Sequence, residues 1–462
     1  MSTQIVTTEV FDLTRTRAPA LPYAPLAYNR EYHDQLNSIL RLYFNQLDNL
    51  VGQLMASSSS LPITFPDNAL DAFGRLVTTT PYTLFDSQNR FAADNQFDTS
   101  LTTGGTITYL PNESSVQMSV TAANGSEVVR QTFRSFPYQP GKGLTFLATF
   151  VMGSPKMGLR QRVGYFNTQN GTFLQQNDST ISFVLRSSSL PTPGTPSDIR
   201  TVNQAEWNVD PMDGTGPSGR VLDLTKNQIL YMDFEWLGTG DVRCGFFVDG
   251  QPQICHIFHN DNIQTAVYMT TAILPVRYEI TNTAATASTS AMKQICSSVI
   301  SMGGYEQTSS EHVASRTTKR TGFSTTFVPL ISVRLAPGRE GAVVLVSRAQ
   351  VMPTVTQYYE VVLLKNATLT GASYVPVITD SNVEYDQTAT ALTGGEVMTH
   401  EYVSSTSQSR SAGEVQPGYN WDLQLGASIA GVSDVFTLAI RTLDATPTGD
   451  SWGMIGLYDL TQ

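Results

Sequence analysis

The chain has 462 residues, of which 40% are hydrophobic and only 15% charged, and its formal net charge is −11. That length asks for two or three packed cores rather than one. The acidic balance excludes sequence-independent binding to nucleic acid or to anionic membrane, since both need a basic surface. Three cysteines cannot all pair, so this is not a disulfide framework. No stretch approaches the ~18 consecutive apolar residues of a membrane span. The opening MSTQIVTTEVFDLTRTR has no apolar segment of a secretion signal. A chain of this kind is expected in a reducing compartment.

Residues 1–28 read as an extended arm. Pro19, Pro22 and Pro25 recur every third residue, interleaved with Leu21, Tyr23 and Leu26. Proline forbids helix and favours a pre-extended backbone. The apolar residues between the prolines suit docking better than mere solubility. Residues 29–60 follow as a helix, with Asn29 placed to cap it, Glu31 in the first turn, and the run SSSSLP at its end. Leu36, Leu40, Tyr43, Leu47, Leu50 and Leu54 are spaced 4, 3, 4, 3, 4 and form one apolar seam. Ile39, Phe44 and Val51 widen it. A lone helix of this length is marginal in water, and no second helical pattern of similar strength occurs. The seam is therefore expected to meet copies of itself or another protein.

From residue 70 to 302 the pattern is β. Short apolar or alternating runs such as ISFVLRSS (181–188), ILYMDFEWLG (229–238) and PVRYEITN (275–282) mark strands. Asp249–Gly250 between two such runs predicts a two-residue hairpin. Counting back from it puts Cys244 opposite Cys255. Residues 303–322, rich in Ser and Thr, read as a linker. Strands resume over 323–462, which is expected to fold independently as a second β domain.

Few residues suggest chemistry. Asp233 and Glu235 lie two apart on a predicted strand and share one face, as the paired carboxylates of a glycoside hydrolase do. The competing reading is a solvated strand face, opposite core residues Met232, Phe234 and Trp236. Cys255 and His256 are adjacent and would point to opposite sides of a strand, so no metal set is read from them. DPMDGTGPSG (210–219) lacks the spacing of a calcium loop and the lysine of a phosphate loop. That leaves a turn cluster, with a loosely held ion still open. No catalytic, cofactor-binding or metal residues are assigned.

Several longer phrases occur in order: AFGRLVTTTPYTLFDSQNRF (72–91), VVRQTFRSFPYQPGK (128–142), GYFNTQNGTF (164–173), WNVDPMDGTGPSGRVLDLTKNQILYMDFEWLG (207–238) and VYMTTAILPVRYEITNT (267–283). This string resembles a family of virion structural proteins of tailed bacteriophages, frequent in cyanophages. YNREYHDQLNSILRLYFNQLDNL (28–50) is similar to the leading segment of cyanophage structural proteins. SNVEYDQTATALTGGEVMTHEYVSS (381–405) with VFTLAIRTL (435–443) is similar to a module that ends phage tail and fibre proteins. The resemblance implies a mainly β chain: an arm, an oligomerising coiled-coil-like helix, a lectin-like (concanavalin-like) β-sandwich, and a C-terminal sandwich of jelly-roll type. It implies a non-enzymatic virion component assembled in the host cytoplasm, a fibre, whisker or adhesin. Such a protein would be a homotrimer docked by its arm to other virion proteins and able to contact host-surface glycans. A capsid decoration or neck protein, or a glycan depolymerase using Asp233 and Glu235, are the alternatives.

Overall fold

The computed structural model describes residues 30–60, 80–306, 311–405, 413–415 and 421–461, together with Leu21 and Ser309. Two units are distinguished by their internal contacts, 1–66 and 67–462.

In the first unit, α1 runs from Arg30 to Ser60. Its side chains are described through residue 47. Leu36, Ile39, Leu40, Tyr43 and Leu47 are half-buried and fall on one face, as the 3.6-residue period requires. Phe44, four residues after Leu40 and three before Leu47, flanks that face and is 56% exposed; Leu42 is 63% exposed. The side chains of Leu50, Val51 and Leu54 lie outside the described residues. So do Asn29 and the arm residues Pro19, Pro22, Tyr23, Pro25 and Leu26; Leu21 is exposed.

The second unit is mainly β, in agreement with the expected fold class. Its first sandwich is built from β1 (Tyr82–Gln88), β2 (Phe97–Thr102), β3 (Thr106–Leu110), β4 (Ser115–Val120), β5 (Glu127–Thr132), β6 (Leu144–Val151), β7 (Leu159–Phe166), β8 (Gly171–Asn177), β9 (Thr180–Ser187), β10 (Ser197–Asn203), β11 (Gln228–Phe234), β12 (Val242–Val248), β13 (Gln251–Phe258), β14 (Val276–Asn282) and β15 (Ser290–Ser301). One sheet has the order β13-β12-β11-β6-β15-β4-β3, with β1 also on β15; the other has β10-β9-β8-β7-β14-β5-β2. These strands pair antiparallel, so each can present an apolar face inward and a polar face outward. Phe146, Phe150, Met232 and Phe246 from the first sheet meet Val163, Tyr165, Phe183 and Tyr278 from the second in one core. Emptying one such buried aromatic position to alanine costs about 3–5 kcal/mol.

The Asp249–Gly250 hairpin forms as expected. Both residues have positive φ, 52° and 76°, and Val248 faces Gln251. The primed turn matches the strand twist. The count back to Cys255 fails, however. The register slips between Gly245 and Cys244, so that Cys244 faces His256. Cys255 is the extra residue of a β-bulge.

The second sandwich comprises β16 (Glu311–Ser315), β17 (Arg320–Phe323), β18 (Val328–Leu335), β19 (Val344–Pro353), β20 (Gln357–Lys365), β21 (Thr368–Thr370), β22 (Val375–Pro376), β23 (Val383–Asp386), β24 (Ala391–Thr393), β25 (Glu396–Ser405), β26 (Gly413–Val415), β27 (Gln424–Leu425), β28 (Val435–Thr442) and β29 (Gly449–Asp459). Its sheets run β16-β29-β19-β26 and β22-β23-β18-β28-β20-β25, with β17 on β29, β27 on β19, and a small β21-β24 pair apart. Ile331, Val361, Leu363 and Leu438 of one sheet pack on Val344, Val346, Ile455 and Leu457 of the other.

The passage 303–322 is not a linker. It supplies β16 and the start of β17, both paired to β29. Nor do the two sandwiches stand apart. Ala427 N–H donates to the Phe133 carbonyl at 2.8 Å. The Gln424 amide donates to the Ser135 carbonyl at 2.7 Å, and Ile429 N–H to Asp98 at 2.7 Å. Arg134 donates to the Trp421 carbonyl at 2.6 Å. Trp421 Nε1 reaches the Tyr82 hydroxyl at 3.0 Å, and Tyr305 packs on both rings. At Gly426 a Cβ would lie 2.8 Å from the Phe133 carbonyl oxygen. Glycine, with no Cβ, permits this approach.

Candidate functional site

The acidic pair is not on a solvated face. Asp233 stands on the outer side of its sheet yet is 3% exposed, and Glu235, past the end of β11, is fully buried. Asp233 bonds to Arg243 and accepts from the Thr145 hydroxyl at 3.3 Å. Burial pushes its carboxyl up, and the guanidinium opposes that. Glu235 sits in the electrostatic reach of Tyr138, whose phenol burial pushes up to about 12. Met232 and Phe234 are in the core and Trp236 packs against it, as expected.

In the 210–219 loop the Asp210 carboxylate is fully buried and already occupied. It accepts the N–H groups of Met212 and Ser218 at 2.8 and 2.9 Å and the Gln253 amide at 3.3 Å. A Cβ at Gly216 would sit 2.2 Å from one of its oxygens. This is a turn organised by backbone donors. Among the described residues no three His, Cys, Asp or Glu side chains are placed to hold a metal ion. Cys244 and Cys255 are both buried and free; burial pushes the Cys244 thiol up to about 12, and that of Cys255 up as well.

Two polar features stand out instead. The first is the outer face of the seven-stranded sheet. Phe166, Phe173 and Val184 alternate with the core residues of β7, β8 and β9 and form a separate apolar cluster. Arg162 and Arg186 lie over the Phe173 ring at 5.0 and 5.1 Å, and Arg277 over Phe166 at 5.6 Å. At these distances the cations are attracted by the ring faces. Arg160, Arg162 and Arg277 converge on Glu279 at 3.0–3.4 Å. Burial works to raise the Glu279 carboxyl, but the three guanidinium groups outweigh it and hold it at about 2. The face is a closed ion-pair lattice over aromatic rings.

The second feature is a cleft of about 430 Å³ between the two sandwiches. Gln96 and Arg134 line it from the first sandwich; Lys365, Asn366, Glu396 and Asp434 line it from the second. Its floor is fixed. Asp434 accepts from Asn366 Nδ2 at 2.8 Å, Gly426 N–H at 3.1 Å and Lys365 Nζ at 3.0 Å. Half-buried Phe133 and Met398 form its apolar walls, and Lys365 Nζ lies 5.9 Å from the Phe133 ring. Asn95 and Glu396, at the rim, are exposed, and their side chains bond to no group among the described residues. None of these residues carries a sequence signal. They come from segments far apart in the chain, joined because residues 421–434 pack on 132–136. Asp233 and Glu235 do not line this cleft.

No family model matches the chain, and no curated protein matches it in sequence. Solved structures similar to it include the Emp47p carbohydrate recognition domain, at 11% identity over 48% of this chain and 95% of that one, with a TM-score of 0.29. A legume lectin-like domain from Entamoeba histolytica matches at 12% identity over 46% and 95%, TM-score 0.27. A protein of unknown function from Shewanella oneidensis MR-1 matches at 8% identity over 54% and 99%, TM-score 0.33. At such identities and scores the likeness is one of β architecture, and the chemistry of the site rests on this chain's own residues.

Proposed function

We propose that the chain is a non-enzymatic structural component of a tailed-phage particle, an oligomeric appendage that gathers through α1 and displays its two sandwiches for contact with host-surface glycans. The observation that carries this reading is the helix. Leu36, Ile39, Leu40, Tyr43 and Leu47 form one apolar stripe on α1, in a chain whose other described elements are mainly strands. An apolar stripe at heptad spacing is the device by which helices of separate chains associate. The ordered phrases of residues 72–283, which resemble those of phage structural proteins, supply the particle context of this proposal. Asp233 and Glu235 are buried, and so lack the open cleft that glycan hydrolysis needs.

The test combines mass and location. Leu40→Asp with Leu47→Asp places charge in the stripe and is expected to convert the purified oligomer to monomer by light scattering, with the β circular dichroism unchanged. An unchanged mass would overturn the role of α1. Deleting residues 2–28 is expected to leave a soluble oligomer that no longer joins particles; normal incorporation would move the anchor elsewhere in the chain.

A further inference from the structure

We infer that the cleft between the two sandwiches is a binding site for a neutral saccharide. The inference rests on the display role proposed above and names the ligand class of that role. Size comes first. The cleft encloses about 430 Å³. Sites for small molecules span roughly 300–1000 Å³, so this one falls in the lower part of the range. Rigidity comes second. The walls belong to different sandwiches, but bonds from Phe133, Arg134 and Ser135 to Ala427, Trp421 and Gln424 fix their separation. Little ordering is then left for binding to impose.

Charge decides the class. Lys365 is paired with Asp434, and Arg134 and Asp422, which both line the cleft, offset each other in charge. Glu396 is then the uncompensated charge of the lining. An anionic ligand is repelled, and a neutral one is not. The polar groups that remain at the rim are the Asn95 amide and the Glu396 carboxylate. Each is planar and offers two polar atoms. Vicinal hydroxyls of a pyranose present donors and acceptors at matching intervals, and the ring's C–H face would lie on Phe133, with Met398 beside it. A peptide would need a deeper apolar anchor than this cleft has. Single-site affinity should be weak, and several copies on one particle would raise it by avidity.

The test uses the full chain. Wild-type protein is applied to an array of neutral and sialylated or uronate-bearing glycans, and the retained glycan is titrated by calorimetry. Retention of at least one neutral glycan is expected, with the affinity lowered at least about tenfold by Asn95→Ala with Glu396→Ala. Both residues are exposed, so an unchanged melting temperature accompanies the loss. Phe133→Leu is a second variant, expected to weaken binding while keeping the wall apolar. Retention of acidic glycans only, of none, or of neutral glycans equally by wild type and the Asn95/Glu396 variant would each overturn the inference. Particle incorporation is scored separately, so failure of the saccharide site and failure of the virion reading are distinguishable.

Discussion

Glu279 and His256 are buried for opposite reasons, and both make the fold acid-sensitive. Glu279 faces three guanidinium groups. Glu279→Gln would leave Arg162 and Arg277 buried, and Arg160 half-buried, around a neutral group, and breaking a buried pair from one side costs about 3–5 kcal/mol. A urea midpoint shift well below that would mean the arginines reach water. His256 is neutral in the fold. Burial lowers its pKa to about 4, the charges of Arg200 and His259 act in the same direction, and its Nδ1 accepts the Asn208 N–H at 3.4 Å. Unfolded, the same imidazole takes a proton near its ordinary value of about 6.5. Between pH 6.5 and 4 the unfolded chain therefore binds more protons, and stability falls as pH falls. Glu279 adds a second loss as pH drops from about 4.5 towards 2, since its folded pKa is depressed. His256→Gln should flatten the melting temperature against pH in the upper window while leaving the steeper loss below. An unchanged slope in that window would remove His256 as its cause. Neither residue is legible in the sequence, because each owes its state to strands paired across the sheet.

Elements are more legible than the residues within them. The Asp-Gly turn sets the β12–β13 hairpin, since two positive-φ residues in a row leave almost no other local choice. The bulge at Cys255 is not readable in advance. The alternation of apolar residues is compatible with either register, and what selects one is packing against the facing sheet. Residues 303–322 mislead for a related reason. Edge strands are held by backbone bonds to a neighbour and tolerate polar, Ser- and Thr-rich faces, so β16 and β17 resemble a linker until β29 is in place. Limited proteolysis is accordingly expected to spare 311–323; a first cut there would mean that these strands detach. The helix seam is readable from spacing alone, because period is a property of the sequence, whereas the exposure of Phe44 is not.

At the scale of the whole β unit, the two sandwiches are expected to melt together. The contact of Gly426 with the Phe133 carbonyl is a point of close approach in their seam. Gly426→Ala should cost about 1–3 kcal/mol, as overpacking does, and split a single calorimetric transition into two. A single undisturbed transition would show that the seam does not couple them. The cleft is a product of the same seam, so that variant should also weaken saccharide retention. This is why the site could not be found from the sequence: its walls exist only after two separately patterned regions have packed.

In the first sandwich, β14 and β15 are the latest strands in the chain, yet they occupy interior positions between β7 and β5 and between β6 and β4. In the second, β29 lies between β16 and β19. During synthesis, each sandwich therefore waits with its centre missing. The strands already made have open edges on both sides of the gap, the condition under which nascent β chains pair with the wrong neighbour. A ribosome that stalls before residue 449 would release a second sandwich lacking its middle, not one merely frayed at its margin, and the same holds for the first sandwich before residue 290. Yield of this protein in a cell should thus depend on uninterrupted elongation through those two stretches, and on chaperones that shield the gap until the central strand arrives.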